Sequence, residues 1–99
     1  MNINIQSPHF TLTPEFHNFV VDKVERFTNY FSNIVSCDVI LKIINITADN
    51  NKVCEIRLAV PGNDLFTQHQ STTFEEAVTS AVKILEKQIQ KRKEKLNHE

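Results

Sequence analysis

Glycine is almost missing from this sequence, at one residue in 99. Loops that cradle phosphates with bare backbone need several glycines, and so do flexible linkers, so both are excluded. Long apolar runs are missing too. Val39–Leu41 and Ile43–Ile44 are short and separated by Lys42, which leaves nothing able to span a bilayer. The start, Met-Asn-Ile-Asn-Ile-Gln, has no basic lead followed by an apolar stretch, so no signal peptide is expected. Cysteine is scarce. Cys37 and Cys54 are too far apart for a C-x-x-C motif and read as incidental buried thiols of a cytoplasmic protein. Charge of one sign is also not in excess, since the formal net charge is -1, which by itself says nothing for a nucleic-acid partner.

What is present is ordinary globular material. A chain of 99 residues has room for a single core, so residues 1–99 are expected to form one domain. The charge is unevenly spread. Lys83, Lys87, Lys91, Arg92, Lys93 and Lys95 face only Glu86 and Glu94 over 83–95, so a basic end is concealed by an acidic remainder.

The patterning predicts β-α-β-β-β-α. Ile3 and Ile5 alternate with polar residues in a short strand over 2–6, which Ser7-Pro8 ends. Thr13-Pro14-Glu15 is a helix start, with a capping hydroxyl, proline at the first position and an acid in the first turn. Phe16, Val20, Val24, Phe27 and Phe31 then recur at helical spacing. Residues 37–46 are rich in Ile and Val and read as a strand, with a hairpin turn over 45–51. Cys54, Ile56, Leu58 and Val60 alternate through a third strand, and Pro61-Gly62-Asn63 turns the chain into a fourth over 65–70. Thr73 with Glu76 is a capping box for a second helix whose inner stripe is Phe74, Ala77, Val78, Ala81, Leu85 and Ile89. Position 92 of that stripe is an arginine, so the last turns are expected to project beyond the core. The fold class is α+β: a two-layer sandwich of a four-stranded mixed sheet with two helices on one face.

Phe19, Lys23, Arg26 and Tyr30 share a flank of the first predicted helix. Lys87, Lys91 and Lys95 form an i, i+4 row on the second. Like charges at that spacing repel by a few tenths of a kcal/mol per pair, so the row suggests an anionic partner. Against this stands the general preference of cations for helix C-termini. Two basic flanks side by side would make one phosphate-binding groove. Lys42 alternates with Val39, Leu41 and Ile43 and should point to the open face of the sheet. His9, His17, His69 and His98 show no metal-ligand spacing, and Glu75-Glu76 suits a helix N-terminus better than catalysis. No enzyme, cofactor or small-molecule substrate is called for.

Four segments together resemble the ribosome hibernation-promoting factors and ribosome-associated inhibitor (protein Y) in their short form. They are Asn2-Ile3-Asn4-Ile5; Leu12-Thr13-Pro14 with Val20, Lys23, Arg26, Phe27, Tyr30 and Phe31; Val39-Ile40-Leu41-Lys42-Ile43; and Leu85-Glu86-Lys87-Gln88-Ile89-Gln90-Lys91. The resemblance covers nearly the whole chain. It implies a topology akin to double-stranded-RNA-binding domains. It also implies a translation inhibitor that lodges against rRNA in the mRNA and tRNA channel of the small ribosomal subunit, in stressed or stationary cells. By position it makes Lys23, Arg26, Lys42, Lys87, Lys91 and Lys95 rRNA-contact candidates, with Arg92 and Lys93 in the same basic stretch. Phosphate contacts of this kind position a protein without reading bases.

The sequence departs from the family at Thr73-Phe74-Glu75, where an Asp-Met-Tyr stretch is usual, and at Ile84, where lysine is common. With its end at Glu99, the chain is expected to lack the long form's C-terminal dimerisation domain and to be monomeric when free. Two other functions fit the residues: a general duplex-RNA module, and a protein-interaction domain that uses the open sheet face around Ile40, Lys42 and Ile44.

Overall fold

The alternation at the N-terminus forms strand β1 (Asn2–Gln6), whose Ile3 and Ile5 turn toward the interior while Asn2, Asn4 and Gln6 are exposed. The chain then crosses through helix α1 (Pro14–Val24) and returns as β2 (Ser36–Ile43), parallel to β1 with Ile3 opposite Cys37 and Ile5 opposite Val39. Strands β3 (Lys52–Ala59) and β4 (Leu65–Ser71) follow antiparallel, and the sheet order is β1-β2-β3-β4. Helix α2 (Phe74–Asn97) closes the structure by packing on β3 and β4. This computed structural model describes residues 1–97, and side chains as far as Lys93. The expected α+β sandwich is the architecture observed.

The two helix starts are set by local chemistry. The Thr13 hydroxyl accepts from the Phe16 N–H at 3.1 Å, and Thr73 does the same for Glu76 at 3.1 Å. The second cap is not the reciprocal box. Glu76 Oε2 instead accepts from the hydroxyls of Ser71 at 2.7 Å and Thr72 at 3.3 Å, tying the helix to the end of β4. Between β3 and β4, Gly62 takes φ of 92°, the left-handed region that the predicted turn requires.

One layer of side chains fills the space between helices and sheet. Val20, Val24 and Phe27 come from the α1 segment, and Val39, Leu41, Ile56 and Leu58 from the inner sheet face. Ala77, Val78, Ala81, Leu85 and Ile89 come from α2. The two alanines on that stripe let α2 approach the sheet closely. Each fully buried Leu, Ile or Val contributes roughly 1.5–3 kcal/mol relative to exposure, and this burial holds the helices in place.

Two elements differ from expectation. The apolar spacing from Phe16 to Phe31 suggests one long helix, but α1 ends at Val24 and tightens into a 3-10 helix over Glu25–Asn29. There the Thr28 hydroxyl donates to the Glu25 carbonyl at 2.7 Å, occupying an acceptor the α-helix would use. The strand expected to reach residue 46 stops at Ile43. The Ile44 N–H closes the hairpin on the Asn51 carbonyl at 3.1 Å, and the loop beyond folds around Asn45, leaving Ile44 and Ile46 exposed.

Candidate nucleic-acid interface

The change from α- to 3-10 helix decides which side chains meet between the helices. In a 3-10 helix residues i and i+3 line up, so Tyr30 falls in line with buried Phe27 rather than on the outer flank. Its hydroxyl donates to Glu86 Oε2 of α2 at 2.6 Å. That hydrogen bond to a carboxylate, then partial burial and the negative charge of Glu86, raises the Tyr30 pKa; nearby Arg26 acts the other way. One step along, the Lys93 ammonium sits 5.8 Å from the centre of the Phe31 ring. Lys23 lies 5.5 Å over Phe19 on the same helix, and Arg26 is exposed. Tyr30 and Phe31 thus stitch the end of the first helical segment to α2, with Arg26 and Lys93 beside that junction and Lys23 a turn back over Phe19.

The α2 cations do not make a single stripe. At about 100° per residue, Lys93 lies within about 20° of Glu86, on the side facing Tyr30 and Phe31. Lys83, Lys87 and Lys91 drift about 40° at each step, across the exposed surface and toward β4. At the far side Lys91 and half-buried Arg92 line a shallow concavity of about 330 Å³ with Gln88 and Leu65 of β4. The basic residues therefore wrap the C-terminal half of α2, and among the described side chains only Lys93 is turned into the groove between the helices. Lys95 is on α2 by its backbone, but its side chain lies outside the described residues, as does all of His98.

Lys42 stands apart. It is on the outer face of the sheet as expected, but ion-paired to Glu55 of β3 at 2.5 Å, with its side chain 37% exposed. The helices cover the opposite face, so the fold does not bring Lys42 together with the other candidate contact residues. Its face is electrically balanced. Arg57 stacks at 5.2 Å over exposed Phe66, and Asp38 accepts from the Asn4 amide at 3.0 Å.

Two features were not read from the sequence. Glu86, in sequence one of two anions within the basic end, accepts a hydrogen bond that links the helices; nothing local marks its partner 56 residues away. A cluster of Phe10, Phe16 and Phe74 beside Lys52 gathers where both helices begin. Elsewhere the chemistry is quiet. Cys37 and Cys54 are buried, and burial pushes both thiols up to about 12, so neither is a nucleophile near neutral pH. Among the described residues no cluster of His, Cys, Asp and Glu could hold a metal ion, and no helix is long and apolar enough to cross a membrane.

Comparison with known proteins adds to this geometry. The pattern of the family described as Sigma 54 modulation protein / S30EA ribosomal protein matches residues 3–97. A ribosome hibernation promoting factor from Pseudomonas putida is 27% identical over 95 residues, covering 96% of this chain and 89% of that protein. The ribosome hibernation promotion factor of Bacillus subtilis is 29% identical over 99 residues, which are 98% of this chain and 51% of that longer protein. Among solved structures, a ribosomal subunit interface protein from Coxiella burnetii superposes with a TM-score of 0.82 at 22% identity, over 94% of this chain and 98% of its own. The N-terminal domain of Thermus thermophilus Protein Y does so with a TM-score of 0.79 at 23% identity, over 92% and 98%. At these identities the superpositions establish the fold.

Proposed function

The chain belongs to the Sigma 54 modulation protein / S30EA ribosomal protein family, and from that premise we propose that it is a ribosome-associated hibernation factor. It binds the small ribosomal subunit against rRNA, in the channel that mRNA and tRNA use, and so holds translation off in stressed or stationary cells. It acts in the cytoplasm, as a monomer, and without catalysis. One observation carries the reading: cations stand beside the junction of two helices and wrap the outward surface of the C-terminal half of the longer one, on a chain whose net charge is -1. A surface so much more basic than its chain suits a polyanion of fixed shape. Lys23, Arg26, Lys87, Lys91, Arg92, Lys93 and Lys95 supply the phosphate contacts in this proposal. Lys42 reaches rRNA only if RNA also covers the outer sheet face.

The test is sedimentation with purified small subunits through a sucrose cushion, beside a Lys87→Glu/Lys91→Glu variant and with a duplex-RNA competitor. The expected result is co-pelleting that the variant loses and duplex RNA does not displace. Displacement by duplex RNA would make the chain a general duplex binder. A wild type that stays in the supernatant would sink the ribosomal reading and turn attention to the balanced outer face, where a protein partner fits better.

A further inference from the structure

The phosphate-contact surface leaves unused the aromatic cluster at the other end of α2. Phe10, from the segment between β1 and α1, stacks on Phe74 with ring centres 4.7 Å apart; Phe16 meets Phe74 edge-on at 6.3 Å. All three rings are only partly buried. They line an open notch of about 380 Å³ with Lys52, Glu75 and the threonines Thr11, Thr13, Thr72 and Thr73. A core cluster closes over its rings; this one leaves ring surface facing a space large enough for a nucleobase.

The polar groups around that space are unequally available. Thr13 and Thr73 accept the capping N–H groups and keep their hydroxyl protons to donate, whereas Thr72 donates its own to Glu76. Among the described residues Thr11 makes no such bond, and Lys52, which donates to Asn51 Oδ1 at 2.5 Å, keeps further N–H groups to offer. Exposed ring surface beside a cation is the pairing by which single-stranded nucleic acid is held, bases stacking on rings while a lysine meets the backbone. A polyanion already following the cations of α2 has this notch at the other end of the same helix, with Phe74 about 14 Å of helix before Lys83.

We propose that the notch receives one unpaired nucleotide of an RNA strand, its base against the exposed surface of the Phe10, Phe16 and Phe74 rings and its phosphate on Lys52. The inference rests on the RNA-binding reading above and adds a stacking subsite to it. Glu75 at the rim opposes the phosphate, so its neutralisation should tighten binding.

The experiment maps backbone amide shifts of the full chain as an unstructured oligoadenylate RNA is added, with AMP in a separate titration. The proposal expects the oligonucleotide to shift the amides of Thr11, Lys52, Phe74 and Glu75. Phe74→Leu, which keeps apolar volume but removes the ring, should weaken that binding roughly tenfold. Glu75→Gln should strengthen it. Unmoved notch amides while those around Lys87 and Lys91 shift would overturn the proposal, and so would AMP shifting the notch when the oligonucleotide does not. The wild-type map stands even if Phe74→Leu folds poorly. Failure of the ribosomal reading is seen separately, as wild-type protein that binds oligonucleotide at the notch but does not pellet with small subunits.

Discussion

At the scale of single residues, burial rather than partnership sets the chemistry. Cys37 and Cys54 face the apolar layer from β2 and β3, where a thiolate has no solvent and no counter-charge, and their pKa values rise from 9.0 to about 12. Between those values the unfolded chain gives up thiol protons that the folded chain keeps, so it is the unfolded state that gains from rising pH. The thiols' contribution to stability is therefore complete below about pH 9 and is lost as pH climbs toward 12. One unit above the unfolded pKa the loss is about 1.4 kcal/mol per thiol. Tyr30 acts in the same direction at still higher pH, its pKa being raised above 10.0. Urea midpoints measured at pH 8 and pH 10 should fall, and a Cys37→Ala/Cys54→Ala variant should show a shallower fall. An unchanged slope in that variant would mean the thiols are more accessible than their burial indicates. The same burial makes both thiols slow to react with thiol reagents until the chain opens.

At the scale of elements, α2 carries two separable jobs on opposite faces. Leu85 and Ile89 are fully buried against the sheet, whereas Lys83, Lys87 and Lys91 are exposed. Leu85→Ala removes packed volume between two layers that cannot fully collapse and should cost about 2–5 kcal/mol. Lys87→Glu on the far face should change the unfolding midpoint little, because it ends no buried contact and relieves like-charge crowding. Thermal or urea unfolding of the two variants separates the jobs. A large loss from Lys87→Glu would mean that the exposed row is structural, and its use as a phosphate contact would need rethinking. The first helical segment shows how a local detail redirects an element. The 3-10 stretch at Glu25–Asn29 puts Tyr30 on the inner line and so converts a would-be flank residue into the link to Glu86.

At the scale of the whole molecule, a nearly neutral chain is divided into faces of different character. The outer sheet face pairs its charges, Lys42 with Glu55, and stacks Arg57 on Phe66. The helical junction and the C-terminal half of α2 keep exposed cations. Binding to small subunits through that region should weaken steeply with salt, each lost phosphate contact reducing the log–log slope by roughly 0.7–0.9. Lys87→Glu/Lys91→Glu should flatten the slope by about two such steps or more, while Lys42→Gln should leave it unchanged. A salt-independent wild type would exclude phosphate contacts as the source of affinity. A slope reduced by Lys42→Gln would show RNA on both faces of the sandwich.

Much of the fold was legible in the residues. Alternation in β1 and β3, the caps at Thr13 and Thr73, the turn at Gly62 and the apolar stripe of α2 are local signals, and each specifies its element through contacts a few residues apart. The family resemblance was legible for the same reason, since its segments keep their order along the chain. The tertiary structure decided what depends on distance and on backbone rotation. It ended α1 at Val24, paired Tyr30 with Glu86, and turned Lys93 rather than Lys91 toward the helical groove. It placed Lys42 behind the sheet with Glu55, and it gathered Phe10, Phe16, Phe74 and Lys52 from three separate stretches of chain into one notch. Periodicity tells which face of an element is apolar. Only the packing of one element on another tells which polar side chains share a neighbourhood, because a few tens of degrees of helix rotation move a side chain from one neighbour to the next.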